Sequence, residues 1–237
     1  MRRITKLAGG DVWKWLPNER VYRHVATGRT IGSPDVLRMF RGYQARAAVE
    51  VNTLAGQLAS QSISLNQWET AMREVLKRGY SDAYLLGRGG RNAMTFVDWG
   101  SVGGQLSNQY RYLRGFREAV AAGNMTEAQI AYRSRLYVAS MTQSIERART
   151  RAVGVPMLPA YPGDGQTVCG TNCKCDWLIE DMGDEWHCTW NLNPAEHCPD
   201  CIENSQKWNP LIIPKTGSEI SEEELDFSIV DVAEEII

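Results

Sequence analysis

Cysteine is absent from the first 168 residues of this 237-residue chain. All six cysteines lie between Cys169 and Cys201, in the stretches "VCGTNCKC" and "EHCPDC" and singly at Cys188. Long apolar runs are missing too, because no stretch approaches the roughly 18 residues that a membrane-spanning helix needs. The N-terminal "MRRITKLAGGDVWKWLPNER" lacks the apolar core of a secretory signal. We therefore expect a protein kept in a reducing cytoplasm, where clustered cysteines more often bind a metal than form disulfides.

Catalytic signatures are also scarce. The chain has three histidines, and neither the H-E-x-x-H nor the H-x-E…P-C-x-x-C motif of a zinc enzyme occurs. The Gly-rich "LLGRGGR" lacks the GK[ST] ending of a phosphate-binding loop, so we predict a flexible loop there. "CPDC" resembles a redox motif, but no βαβ pattern surrounds it. We predict that the protein is not an enzyme, and a zinc-dependent nuclease or toxin-like domain is the least favoured alternative.

The net charge of −2 hides a division between the two parts of the chain. Up to Val155 there are 23 basic and 11 acidic residues, whereas from Pro156 onward 3 basic residues stand against 17 acidic ones. A cationic first part suggests an anionic partner, with nucleic acid as the first candidate. The alternative is that the two parts attract each other, within one molecule or between neighbouring copies.

Apolar residues recur at helical spacing in four segments of the first 155 residues. We predict a first helix over about 34–58, with Ser33 as its N-cap, and a second helix that opens with a capping box at Ser64. A third helix is predicted over 102–122. A fourth follows Thr126 and ends in the Arg-rich "RARTRAVG", where cations meet the negative end of the helix dipole.

The predicted fold is mainly α and has four parts. These parts are an N-terminal arm (residues 1–32), an α-helical body (33–155), a Cys-rich, zinc-ribbon-like module (156–214) and an acidic C-terminal tail (215–237). The boundary at 156 rests on "PMLPAYPGDG", which is typical of turns and extended chain. "TGSEISEEELDFSIVDVAEEII" has eight acidic residues and no basic one, but it keeps apolar residues that a disordered tail would not carry. We predict that this tail docks on a basic neighbour, with packing on its own body as the alternative.

The cysteine spacing predicts a structural zinc site. Zn²⁺ is borderline soft, binds thiolates well and accepts tetrahedral geometry. Cys173 and Cys175 form one closely spaced pair, and Cys198 and Cys201 form the other, in which Pro199 fixes the turn. Each tight turn delivers two ligands, and the 22 residues between the pairs suit a zinc-ribbon-like loop. A disulfide-linked knot is the alternative for the whole module.

Three ligand arrangements remain open, since Cys169, Cys188, His187 and His197 are further candidates. One zinc takes the two pairs and leaves Cys169 and Cys188 as free thiols, or one zinc takes a different four. An example of such a set is Cys175, Cys188, Cys198 and Cys201. In the third arrangement two zincs share six thiolates and both histidines, which supply the eight ligands of two separate sites. The first two arrangements are jointly favoured.

Half of the eight tryptophans fall in the module. They are Trp177, Trp186, Trp190 and Trp208. Small zinc modules lack room for an aliphatic core and often rely on a few large aromatic side chains. We therefore predict that these four pack in the module, in preference to stacking on nucleic-acid bases.

Two features of the chain resemble the tailed-phage minor head, or head morphogenesis, proteins of the Mu F type. The first is a helical body that ends in an Arg-rich helix, here "YRSRLYVASMTQSIERARTRAVGVP". The second is a following segment with a close cysteine pair, here "YPGDGQTVCGTNCKCDW", in which "NCKC" is similar to the family's N-C-R-C ending. The likeness covers roughly residues 33–177. The segment from Cys188 to Cys201 and the acidic tail go beyond the short ending of the family.

The resemblance implies a non-enzymatic virion component, synthesised in the host cytoplasm and located in the phage head or neck. Such proteins take part in head assembly and in DNA packaging or ejection. The implied partners are the portal protein, the major capsid protein, or both, and packaged DNA facing the basic helices. The alternative from a different class is a cytoplasmic zinc-containing nucleic-acid-binding protein of regulatory type. That alternative predicts binding to free duplex that weakens steeply with salt.

Overall fold

Helices dominate the computed structural model, which describes residues 11–123 and 125–215. The α-helices of these residues are α1 (Ser33–Ala59), α2 (Leu65–Arg88), α3 (Phe96–Ala121), α4 (Glu127–Ala139), α5 (Thr142–Ala152) and α6 (Pro199–Lys207). The first five form one body, so the prediction of a mainly helical body is confirmed. Within the described residues no helix combines the length and apolarity needed to cross a bilayer. The predicted acidic tail lies, from residue 216 on, outside the described residues.

Capping side chains define where the helices begin. Ser64 and Gln67 form the predicted capping box of α2, and Thr95 and Asp98 form an equivalent box at α3. The third helix therefore starts at Phe96, six residues earlier than predicted. The apolar residues of its first turn, Phe96 and Val97, are exposed and do not extend the buried stripe on which the prediction rested. Gly32, not Ser33, occupies the N-cap position of α1.

The predicted fourth helix is two helices, α4 and α5. α4 ends at Ala139, and its last turn is followed by Ser140, whose hydroxyl donates to the Tyr137 carbonyl at 2.7 Å. The Thr142 hydroxyl donates to the Ala139 carbonyl at 3.0 Å in the same way. Such side-chain bonds compete with the helical ladder and permit a break. The apolar spacing continues across this break, so the periodicity alone could not locate it.

Helix α2 is the centre of the body, since it packs against α1, α3 and α5. Small residues let α5 approach closely: a Cβ at Gly87 would lie 2.4 Å from the Ala148 Cβ, and one at Gly79 would overlap the end of Met141. Buried polar bonds fix the register of the pair. The Tyr80 hydroxyl lies 2.8 Å from the Ser140 hydroxyl, and the Ser144 hydroxyl donates to the Tyr80 carbonyl at 3.0 Å.

The Gly-rich segment is an ordered helix end, which corrects the prediction of a flexible loop. α2 continues to Arg88, and Gly89 follows in the left-handed conformation, with φ 88°. The Trp13 backbone N–H donates to the Gly89 carbonyl at 2.8 Å, and a Cβ at Gly89 would lie 1.8 Å from the Trp13 carbonyl oxygen. Glycine is therefore required at this position both by its backbone angle and by the close approach of the N-terminal strand.

Residues 13–32, which the sequence assigned to an arm without periodicity, form a three-stranded antiparallel sheet. Its strands are β1 (Trp13–Leu16), β2 (Val21–His24) and β3 (Thr30–Gly32), in the order β1-β2-β3. The side chains of Trp13, Trp15 and Tyr22 are buried in the same core as the helices. The sheet is thus a layer of the body, and its strands of three and four residues are too short to show a reliable alternation in sequence.

The Cys-rich module folds around a second core, as the composition predicted. Its sheet has the order β4-β5-β6, with β4 (Asp176–Asp181), β5 (Glu185–Asn191) and β6 (Leu211–Pro214) all antiparallel. Three tryptophan rings contact one another in this core, with centroid separations of 5.2–5.8 Å. They belong to Trp177, Trp190 and Trp208. Trp186 is also buried in the module, so packing accounts for all four side chains.

Charged side chains from the "RARTRAVG" segment sit at the junction of body and module. Arg149 is buried and lies 3.2 Å from the Glu146 carboxylate, and it also donates to the hydroxyls of Tyr22 and Ser33. Burial raises the pKa of Glu146, against the attraction of the Arg149 guanidinium. A cleft beside this pair is lined on the module side by Asp176. These contacts tie α5 to the N-terminal sheet and to α1.

Candidate metal centre

Two short segments of the module deliver five thiols to one place. Cys169 and Cys173 flank a 3₁₀ turn (Gly170–Asn172), and Cys175 directly precedes β4. The β4–β5 hairpin then brings the chain back, so that Cys198 and Cys201 lie at the start of α6. We call these five residues the thiol cluster.

Two sulfur separations in the thiol cluster match the edge length of a zinc tetrathiolate. The Sγ of Cys201 lies 3.7 Å from that of Cys169 and 3.6 Å from that of Cys173, and the three sulfurs all lie within 4.8 Å of one another. Zn–S bonds of about 2.3 Å in a tetrahedron place two sulfurs about 3.8 Å apart. A disulfide requires about 2.0 Å, and all six cysteines are free thiols. These residues can therefore hold a metal ion, and the disulfide-linked knot is not what the structure shows.

Hydrogen bonds within the cluster favour the thiolate form of Cys173. The Cys175 thiol donates to the Cys173 sulfur, and with the Cys175 backbone N–H and the neighbouring thiols it lowers the pKa of Cys173 to about 5. The pKa of Cys175 is raised, because its proton is held in this bond and because the side chain is buried. These hydrogen bonds therefore favour the thiolate, which is the form that binds metals.

Cys198 is also held in a ligand-like environment, at the N-cap of α6 with Pro199 in the first turn. Burial opposes the thiolate of Cys198, but hydrogen bonds from the backbone N–H groups and thiols of Cys201 and Cys169 together outweigh it and lower the pKa of Cys198. The sulfur is also within hydrogen-bonding reach of the thiols of Cys169 and Cys201. The segment is pinned in place by Asp200, whose carboxylate accepts the Val168 backbone N–H at 2.7 Å.

His197 lies at the edge of the thiol cluster. Its Nδ1 is 3.5 Å from the Cys175 sulfur, and its Nε2 is 2.7 Å from the Asn193 carbonyl oxygen. A carbonyl oxygen only accepts, so this bond places the proton on Nε2 and leaves the Nδ1 lone pair free. Metal-binding histidines are oriented in the same way by a bond from the second ring nitrogen.

Cys188 and His187 lie apart from the cluster. Cys188 is fully buried on β5 opposite Ile179, and burial alone raises the pKa of its thiol to about 11. The His187 ring lies 2.6 Å from the Glu185 carboxylate on the other face of the strand. The structure therefore groups Cys169, Cys173, Cys175, Cys198, Cys201 and His197, and it leaves these two predicted candidates outside the group.

Two supporting residues escaped the sequence analysis. The Thr167 hydroxyl lies 3.1 Å from the Cys169 sulfur, and Asn193 supplies the carbonyl that orients His197. The Asn193 side chain also donates to the Lys174 carbonyl at 2.8 Å, which links the hairpin end to the first cysteine segment. Their roles depend on the fold of the hairpin, and no spacing in the sequence marks them.

Comparison with protein-family models, with characterised proteins and with solved structures finds no match for this chain.

Proposed function

We propose that the thiol cluster holds a structural zinc ion that fastens the module to the helical body. The observation that carries this proposal is the pair of Sγ separations, 3.6 and 3.7 Å, at the edge length of a zinc tetrathiolate. Sulfur-only ligation leaves no open coordination position for water, which is the mark of structural sites. Cys169, Cys173 and Cys201 supply three ligands, and Cys198 is the best placed to supply the fourth.

Contacts across the junction give the ion its structural consequence. Asp176 directly follows Cys175, and its carboxylate accepts from the Arg20 guanidinium of the N-terminal sheet at 2.6 Å. Further along β4, the Asn18 side chain of the body exchanges hydrogen bonds with the Asp181 backbone. An ion that fixes the cysteine segment therefore also fixes the residues that bind the body.

We further propose that the chain is a non-enzymatic minor head protein of a tailed phage, associated with the portal or the capsid during head assembly and DNA packaging or ejection. The support is the resemblance in the Arg-rich helix and in "NCKC", together with an all-sulfur site suited to scaffolding. The structure gives the arginines a different role from the one expected. Arg149 is buried in the body, and Arg147 lies over the ring of Tyr161 in the module at 4.3 Å. These two arginines therefore make contacts inside the molecule and are not free to bind DNA phosphates.

Metal analysis of matched variants tests the zinc proposal. Freshly purified wild-type protein under reducing conditions is expected to contain zinc, whereas Cys201→Ala is expected to lose it and to unfold the module. Cys188→Ala is the matched control, because it removes an equally buried thiol outside the cluster and is expected to keep the metal. Wild-type metal content in Cys201→Ala, or a metal-free native protein, contradicts the proposal.

Reconstitution separates the phage-head proposal from a nucleic-acid-binding regulator. The protein is expected to co-sediment with a portal or capsid protein of the same phage, and to bind free duplex DNA weakly. Tight duplex binding that falls steeply between about 50 and 200 mM salt is the behaviour of a regulator. That result, with no association with portal or capsid, overturns the phage-head proposal and leaves the zinc proposal standing.

A further inference from the structure

The thiol cluster contains more donors than one zinc ion uses. A tetrahedral zinc takes four ligands. Three sulfurs of the cluster, those of Cys169, Cys173 and Cys201, all lie within 4.8 Å of one another. The thiols of Cys175 and Cys198 interact with members of this trio, and the His197 Nδ1 lies 3.5 Å from the Cys175 sulfur. Cys201 is central, because its sulfur is within reach of the sulfurs of Cys169, Cys173, Cys175 and Cys198. A single ion would leave the Cys175 thiol and the His197 imidazole unbound, although their donor atoms lie 3.5 Å apart, close to the spacing of two ligands on one zinc. This inference rests on the zinc proposal above.

The first set of four donors consists of sulfurs only. Cys169, Cys173 and Cys201 form one triangular face, two edges of which measure 3.6 and 3.7 Å. Cys198 completes the set, because its thiol reaches those of Cys169 and Cys201.

The second set shares two members with the first. Cys175 reaches the sulfurs of Cys173 and Cys201, and His197 Nδ1 lies 3.5 Å from the Cys175 sulfur. Bonds of about 2.3 Å to sulfur and about 2.05 Å to nitrogen predict a mixed edge of about 3.6 Å in a zinc tetrahedron. The Asn193 carbonyl, which holds the proton on Nε2, leaves Nδ1 as the donor for this position.

We propose that the module binds two zinc ions in two tetrahedra that share the Cys173–Cys201 edge. The two shared thiolates bridge the ions, so that six donors fill eight coordination positions. Cys169 and Cys198 complete one ion, and Cys175 and His197 complete the other. Five thiolates carry a charge of −5 against +4 from two ions, which leaves −1. One ion bound to four thiolates leaves −2 and a buried Cys175 thiol.

The bridged arrangement has a specific metal–metal distance. Bonds of about 2.3 Å on either side of a shared 3.6 Å edge place the two ions about 3 Å apart. Two separate sites built from six thiolates and both histidines would give no such short separation, and they would need Cys188 and His187, which lie outside the cluster.

Zinc stoichiometry and X-ray absorption on the full chain test the proposal. Wild-type protein is expected to bind two zinc ions per chain and to show zinc–zinc scattering at about 3 Å. His197→Ala is expected to retain one ion and to lose that scattering, since it removes a ligand of the second ion only. Cys188→Ala is the control and is expected to keep both ions and the short separation.

The outcomes separate this proposal from the one on which it rests. One ion per chain in wild type, unchanged in His197→Ala, overturns the second ion and leaves a single structural zinc. Two ions without scattering near 3 Å overturn the bridging thiolates. A metal-free native protein overturns both proposals.

Discussion

At the residue scale, the arginines near the end of the body show how misleading a charge run is when its fold is unknown. The sequence places three arginines in "RARTRAVG" and attributes them partly to the helix dipole. In the structure Arg149 is an internal residue, bonded to Glu146, Tyr22 and Ser33. The helix-dipole argument uses only the position of a residue along its helix. The actual partners of Arg149 lie 3 to 127 residues away in the sequence, and only the fold brings them together.

Replacing Arg149 by alanine is expected to destabilise the protein by about 3–5 kcal/mol, because it leaves the Glu146 carboxylate buried without its partner. Arg38→Ala is the matched control. Arg38 is 73% exposed and forms a surface pair with Asp35, so its removal is expected to cost less than about 1 kcal/mol. Urea denaturation measures the free energy of unfolding of both variants. An equal loss in the two variants would show that the buried pair stabilises the protein no more than the surface pair does.

At the element scale, helices were predictable where their signals are local. The capping box at Ser64 and the apolar stripes of α1 and α2 follow from residues within a few positions of one another. The N-terminal sheet was not predictable, because its short strands are stabilised by burying Trp13, Trp15 and Tyr22 against helices distant in sequence. The cysteine spacing indicated a metal site but not the ligand set, since exclusion of Cys188 depends on which face of β5 it occupies.

The junction between α2 and β1 provides a test of this packing. Gly89→Ala is expected to destabilise the body by about 2 kcal/mol or more, because alanine is strained at φ 88° and its Cβ would overlap the Trp13 carbonyl. Gly104→Ala is the control, since a Cβ at this position on α3 meets no atom within 4 Å. It is expected to leave stability unchanged or raise it by up to about 1 kcal/mol. Thermal unfolding of the two variants distinguishes them, and similar melting temperatures would mean that β1 does not dock as described.

At the scale of the whole molecule, the acidic module and the cationic body contact each other within one chain. Over residues 156–215 acidic residues outnumber basic ones by nine to three, and this module lies against a cationic body. Arg20 and Asp176 form one bond across the junction, and Asn18 exchanges hydrogen bonds with the Asp181 backbone nearby. One attraction between the two parts of the chain, the Arg20–Asp176 ion pair, therefore lies within the molecule at this junction.

The body and the module have separate hydrophobic cores, and these cores differ in size and composition. The body buries a large apolar cluster drawn from the N-terminal sheet and α1 to α5, and it contains no cysteine. The module has a small core built on Trp177, Trp190, Trp208 and the thiols. Structural zinc supplies about 10–16 kcal/mol of apparent binding free energy in small domains, so our zinc proposal makes the module the unit whose folding would depend on the metal.

Hydrogen exchange of the full chain, before and after removal of zinc by a chelator under reducing conditions, tests that dependence most directly. Protection is expected to be lost in β4, β5, β6 and α6 and retained in α1 to α5, because the proposed ion would stabilise the module, whereas the body has its own core. A metal-free protein whose module keeps the protection of the zinc-loaded form would contradict the account.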